Sequence, residues 1–306
     1  MENQIVGHKK VIDFLNKSIQ KNKISHAYLF EGPEQIGKKL VAMEFALAVQ
    51  NREKVISSLS SARERTSEMN PDLLIINPEK GESVSIAQIR ELQNQLSLFP
   101  HSKKYKVAII DNAEAMTVEA ANSLLKTLEN PSATTIIILV VSSSEGVLPT
   151  IRSRCQTIKF PIPSARELKY FLKDYQKNDR EIEELINFSR QRPGVIMELL
   201  NNKEFFEQQK KDSEKFSKII NSGITEKINY AEEISKEEFG RIENILNLWM
   251  VILRSSFLDC YKESSGNKNL KRRISGIIKE IQRSKSLILK KKANARLVLE
   301  NLLINC

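Results

Sequence analysis

Residues 27–50, AYLFEGPEQIGKKLVAMEFALAVQ, place a strand, a turn and a helix in one continuous stretch. Ala27-Tyr28-Leu29-Phe30 is a short apolar run, and from Lys38 to Gln50 the apolar residues recur at helical spacing. Between them Gly32, Gly37 and Lys38 take the spacing of a phosphate-binding loop, G-x-x-x-x-G-K-[ST], with the required strand before and helix after. Such a loop works through three parts. Backbone N–H groups at a helix N-terminus surround a phosphate, a lysine ammonium reaches the terminal phosphates, and a hydroxyl ligates magnesium. Here Lys39 stands where the hydroxyl belongs. An ammonium has no lone pair to offer a cation and repels it.

Outward from this stretch, further apolar runs rich in β-branched residues read as buried strands: Leu73–Ile76, Val107–Ile110, Ile136–Val141 and Thr157–Phe160. Helical patterns alternate with them at Lys9–Gln20, Lys38–Gln50, Ile86–Leu98 and Val118–Leu128. Strands and helices in alternation with short connectors predict an α/β domain, a parallel sheet flanked by helices. Asn51–Met69 breaks the rhythm with a polar stretch that reads as a surface insertion. Pro161 and Pro163 end the pattern. Ser164 then serves as a helix N-cap, with Glu167 completing a capping box. From there to Cys306 no strand signal occurs, and Arg192-Pro193-Gly194 reads as a turn before a helix. Ile274, Ile277, Ile278, Ile281 and Ile288 form a 3.6-period stripe opposite a set of lysines.

Composition sets the class. At 306 residues there is room for two or three domains, and 41% hydrophobic with 28% charged residues suits a soluble, helix-rich protein. No unbroken apolar run exceeds six residues, the length of Ile136–Val141, so no membrane span is expected. The start, MENQIVGHKK, lacks the apolar core of a secretory signal, and a cytoplasmic location is expected. Cys155, Cys260 and Cys306 are odd in number and far apart, which fits a reducing compartment and provides neither a disulfide framework nor a four-ligand zinc pattern. His8, His26 and His101 are scattered, and no metal is assigned to them. Between Gly266 and Arg296 eleven Lys or Arg face one acid, Glu280, so this segment carries a charge equal to the +10 of the whole chain. It reads either as a basic patch for nucleic acid or as a solvated helix face.

A nucleotide-hydrolysing site also needs an Asp at a strand end, usually followed by a Glu that polarises water. Asp111 follows the run Val107–Ile110, but the next residue is Asn112, which is neutral and a poor base. Glu114, two further on, is expected to face elsewhere. Metal ligand and catalytic base are thus both altered. The loop reads as a fold inherited from ATPases in a chain that does not hydrolyse ATP itself, although its backbone amides leave residual ATP, ADP or anion binding open.

Residues 119–160, EAANSLLKTLENPSATTIIILVVSSSEGVLPTIRSRCQTIKF, contain Asn122, Leu124-Leu125-Lys126, Leu128-Glu129 and Pro131, then Leu148, Thr150-Ile151 and Ser153-Arg154-Cys155. This pattern resembles the clamp-loader branch of the AAA+ proteins, N-x-L-L-K-x-L-E-x-P followed by L-x-T-I-x-S-R-C. The likeness covers residues 3–163 and is only architectural beyond them. It implies an AAA+ domain at 1–162, a small helical lid at 163–204 and a helical, oligomerising collar at 205–306. It also implies that Arg154, presented by Ser153 and Cys155, is an arginine finger acting on a neighbour's ATP. Gly32, Gly37, Lys38 and Lys39 become a degenerate phosphate loop, Asp111 and Asn112 a Walker B remnant, and Ser142 or Ser143 a sensor remnant. A sensor-two arginine is replaced by Gly194-Val195-Ile196. The zinc module that many relatives carry finds no cysteine in Asn51–Met69, so no zinc is expected, and no cofactor is required. The implied partners are the tau/gamma and delta subunits of a DNA polymerase III clamp loader, with the sliding clamp and primed DNA met through the hetero-oligomer. Two rival readings are an active AAA+ clamp-loader-type ATPase and a DNA-binding subunit acting through residues 266–296.

Overall fold

The computed structural model describes residues 5–51, 70–78, 82–101, 103–175, 177–262, 268–289 and 293–305. The polar stretch 52–69, and with it the place of the zinc module, lies outside the described residues, as do Lys290, Lys291 and Lys292. Two compact units divide the chain: Met1–Asn178 with Gln191–Met197, and Asp179–Arg190 with Glu198–Cys306.

The first unit runs α1 (Lys9–Gln20), β1 (Ala27–Glu31), α2 (Lys38–Asn51), β2 (Leu73–Ile76), α3 (Ile86–Ser97) and β3 (Lys106–Ile110). It continues with α4 (Val118–Glu129), β4 (Thr135–Val141), α5 (Pro149–Arg152), β5 (Gln156–Lys159) and α6 (Ala165–Leu172). Among the described residues these five strands form one sheet in the order β2-β3-β4-β1-β5, every neighbouring pair parallel. Side chains alternate across a strand, so each strand feeds two cores. Tyr28, Phe30, Val107, Ile109, Ile138 and Val140 meet Val11, Leu15, Val41 and Phe45 of α1 and α2 on one face. Ala27, Leu29, Ala108, Ile110, Ile137 and Leu139 meet Ile89, Leu92, Ala120, Leu124 and Leu128 of α3 and α4 on the other. Each fully buried Leu, Ile or Phe contributes about 1.5–3 kcal/mol.

Strands buried on both faces are what the sequence predicts for all five, and β3 and β4 are buried throughout. The edge strands differ. Ile75 on β2 is 40% exposed, and of β5 only Ile158 is buried. A strand with one hydrogen-bonded neighbour lies beyond the centre of the helical layers, and that position is a property of sheet order. The predicted capping box forms at α6: the Ser164 hydroxyl accepts from the Glu167 N–H, and Glu167 Oε2 accepts from the Ser164 N–H at 2.8 Å.

Next come α7 (Asp179–Ser189) and α8 (Pro193–Asn201), the latter crossing the division at Met197. Arg190 and Gln191, at φ 54° and 59°, turn the chain between them, and Pro193 opens α8, where its missing N–H is harmless. The second unit is completed by α9 (Lys203–Ile219), α10 (Ile224–Ser235), α11 (Phe239–Lys262), α12 (Lys268–Leu289) and α13 (Ala295–Ile304), with no strand among its described residues. Its core centres on Trp249, stacked on Phe216 with ring centroids 4.6 Å apart and beside Tyr230. On α12, Ile274, Ile277, Ile281 and Ile288 are buried and Ile278 partly so, while Arg272 and Lys279 are exposed. Among the described residues no helix is long and apolar enough to cross a membrane.

Candidate functional site

In a parallel sheet, ligands bind beyond the carboxyl ends of the strands. Gly32 follows β1, Asn77 follows β2, Asp111 follows β3 and Ser142 follows β4, so all four collect on that edge. Gly32 is required there by close approach, because a Cβ would lie 2.4 Å from the Phe160 carbonyl oxygen. Gly37 is required by its backbone, at φ +100°. Next to Gly37, Lys38 is buried. Its ammonium donates to the Gly32 and Pro33 carbonyls, each at 2.6 Å, and ties the two ends of the loop together. Burial pulls this ammonium below its usual pKa, while Asp111, Glu114 and Glu34 act in the opposite direction and Arg192 with it.

Lys39, in the first turn of α2, donates to Asn77 Oδ1 at 2.7 Å and lies 3.4 Å from Asp111 Oδ2. This pairing decides whether the site fits the magnesium ion that loops of this spacing hold. A magnesium site wants oxygen ligands in octahedral array at about 2.0–2.1 Å. Here the hydroxyl is missing and the Asp111 carboxylate is already opposed by an ammonium, so the donor set does not fit. Among the described residues no group of three or more His, Cys, Asp or Glu could hold a metal ion.

Asn112 sits in the left-handed region, φ 48° and ψ 47°, a conformation that asparagine tolerates, and its N–H bonds Asp111 Oδ1 at 3.1 Å. Glu114 does not face away, as the sequence reading has it. Its Oε1 accepts the Ser142 N–H at 2.7 Å, joining the ends of β3 and β4. The Ser142 hydroxyl reaches Glu34 Oε1 of the loop at 3.4 Å, so Ser142 adjoins the loop. Ser143 instead caps the turn Ser144–Gly146. Where a sensor-two arginine is expected, the Gly194 N–H bonds the Gln35 carbonyl at 2.9 Å, and a Cβ there would come within 3.0 Å of Gln35. The contact explains the glycine.

Arg154 stands on a different corner of the same unit. Pro149 starts α5, Ile151 is fully buried beneath it, and Ser153 and Arg154 close the turn through N–H bonds to Pro149 and Ile151. The anchored turn turns the Arg154 guanidinium outward, its side chain 35% exposed. Nη2 pairs with Glu129 Oε1 at 2.7 Å, and Nη1 donates to Thr150 O at 2.9 Å and to the Ser153 hydroxyl at 3.4 Å. Cys155 packs underneath, against the α3–α4 face of the sheet, where burial pushes its thiol up to about 12. It is a packing residue.

Sequence reasoning missed Asn77, Glu34, Glu114 and Glu129. The first residue after each strand was the signal available for Asn77, and Glu129 lies inside the quoted L-E-x-P motif. In the basic stretch 266–296, Lys285 pairs with Glu243 at 3.0 Å and Arg296 with Glu232 and Glu300 at 3.1 and 2.7 Å, so part of that charge is neutralised within the second unit.

Against this geometry, three likenesses stand. A solved structure of a DNA polymerase III gamma subunit-related protein from Thermotoga maritima covers 96% of this chain, and 97% of its own, at 22% identity and a TM-score of 0.53, which shows a shared fold. The DNA polymerase III subunit tau of Bacillus subtilis is 32% identical over 160 residues, 51% of this chain and 28% of tau. Subunit delta' of the same organism is 35% identical over 207 residues, 66% of this chain and 62% of the relative, so less than two thirds of either relative is spanned. The family model described as DNA polymerase III, delta subunit matches residues 7–164, more than half of the chain and the whole of the parallel sheet. With that match and the delta' relative together, the chain belongs to the delta-prime family of DNA polymerase III clamp-loader subunits.

Proposed function

We propose that this chain is a non-hydrolysing member of a DNA polymerase III clamp loader that presents Arg154 to the triphosphate of a neighbouring tau/gamma subunit. Its own site lacks the metal-ligating hydroxyl and the catalytic base, so chemistry belongs to the neighbour. Residues 163–204 act as the lid and 205–306 as the collar that joins the hetero-oligomer. The chain serves as a rigid element against which delta opens the sliding clamp, and the cytoplasmic assembly then loads the ring onto primed DNA.

The observation that carries this reading is Arg154 itself, outward on an anchored turn. Its pair with Glu129 is exposed on both sides, 35% and 48%, and such a pair is worth about 0.2–1 kcal/mol. An arginine finger contributes about 10³–10⁵ in kcat, or roughly 4–7 kcal/mol of transition-state stabilisation. Breaking the pair with Glu129 therefore costs little beside what the finger contributes in the transition state. The test is clamp-stimulated ATP hydrolysis by an assembly of this chain with tau/gamma and delta. Arg154→Ala is expected to abolish hydrolysis at the interface it serves, and full hydrolysis with the variant refutes the role in trans.

A further inference from the structure

We propose that Lys39 is a tethered cation that takes the place of the divalent ion at Asp111, so that the phosphate loop excludes magnesium. Three elements converge on this one ammonium: the first turn of α2 supplies it, the end of β3 supplies Asp111 at 3.4 Å, and the end of β2 supplies Asn77 at 2.7 Å. A cation in the first turn of a helix meets the positive end of the helix dipole, so helix stability does not favour lysine there. The opposite charge of Asp111 does. Asp111 is only 17% exposed, which makes the pair less screened than an ordinary surface contact.

A magnesium ion approaching Asp111 has to displace the ammonium and then finds no hydroxyl and an asparagine where a glutamate is usual. Lys38 and Arg192 add positive charge at the same loop, where Asp111, Glu114 and Glu34 add negative charge. A phosphate group entering it meets Lys39 as the cation at Asp111 in place of a metal. Lys39 thereby sets the ligand form the loop selects: the bare polyphosphate anion and not its magnesium complex.

The inference rests on the reading of a chain without its own hydrolysis and deepens it. Equilibrium dialysis of the full chain with ATP, in excess magnesium and in EDTA, tests it in wild type, Lys39→Thr, Lys39→Arg and Lys39→Thr with Asp111→Asn. Wild type and Lys39→Arg are expected to gain no ATP affinity from magnesium. Lys39→Thr, which regains a hydroxyl and frees Asp111, is expected to bind ATP at least tenfold more tightly with magnesium, a gain that Asp111→Asn removes. A tenfold magnesium gain in wild type, or indifference to magnesium in Lys39→Thr, overturns it. Either failure leaves the role of Arg154 untouched, because that role is read from hydrolysis by the assembly.

Discussion

The phosphate loop and the Arg154 corner belong to the same unit, and they use their cations in opposite ways. At the loop, Lys38 is buried and bonded to the loop's own carbonyls, and Lys39 is paired with Asp111 and Asn77. At the corner, Arg154 is held at the surface by a partly exposed carboxylate and by Thr150 and Ser153 of its own turn. Lys38 is buried, whereas Lys39 and Arg154 are equally exposed and differ in their partners, Asp111 being 17% exposed and Glu129 48%. A charge on an anchored turn at the surface remains exchangeable with an outside partner. Under the proposed function, the difference means that a site can lose its reaction and keep its architecture, while a residue elsewhere keeps a part in the reaction of a neighbour.

The largest effect expected concerns the corner. In the assembled loader Arg154→Ala lowers hydrolysis at its interface by about 10³-fold, and Arg154→Lys restores little of it, because an ammonium lacks the planar fork. Equal activity of Lys and Arg, measured by steady-state phosphate release, breaks the contrast. Next comes Cys155. With its thiol pushed up to about 12 from an ordinary 9.0, alkylation at pH 8, followed by mass spectrometry of its peptide, is expected to be roughly 1000-fold slower in the folded chain than in denaturant. The sign follows. The folded state keeps the proton that the unfolded state releases, so Cys155 leaves stability unchanged below pH 9 and lowers it as pH rises from there toward 12.

At the loop, Gly32→Ala forces a methyl group against the Phe160 carbonyl and is expected to destabilise the chain by about 1–3 kcal/mol, read as a lowered urea midpoint. The smallest effect is that of Glu129→Gln, less than about 1 kcal/mol in the same titration. A larger loss there means that Arg154 is a structural pair and not an exchangeable one.

Much of this fold is legible in the sequence. The strand cores at Val107–Ile110 and Ile136–Val141 appear where the β-branched runs place them, since strands covered on both faces leave continuous apolar text. Edge exposure at Ile75 is not legible, because it depends on the order β2-β3-β4-β1-β5, which local patterns do not contain. The same limit governs the site. The missing hydroxyl at Lys39 is visible in one residue, whereas the capture of Lys39 by Asp111 and Asn77 needs the ends of β2 and β3 beside the first turn of α2. Position alone leaves Glu114 expected to face elsewhere, but its partner is the Ser142 N–H across the sheet edge. The unequal use of Lys285 and Lys279 on α12 likewise comes from the neighbouring Glu243 of α11, which α12 alone does not reveal.

The most direct measurement is the position of the Arg154 guanidinium in a structure of the assembled loader bound to a non-hydrolysable ATP analogue. The account predicts it within about 3 Å of a γ-phosphate oxygen on the neighbouring tau/gamma subunit, released from Glu129. A guanidinium still paired with Glu129, and no neighbouring phosphate within reach, contradicts it.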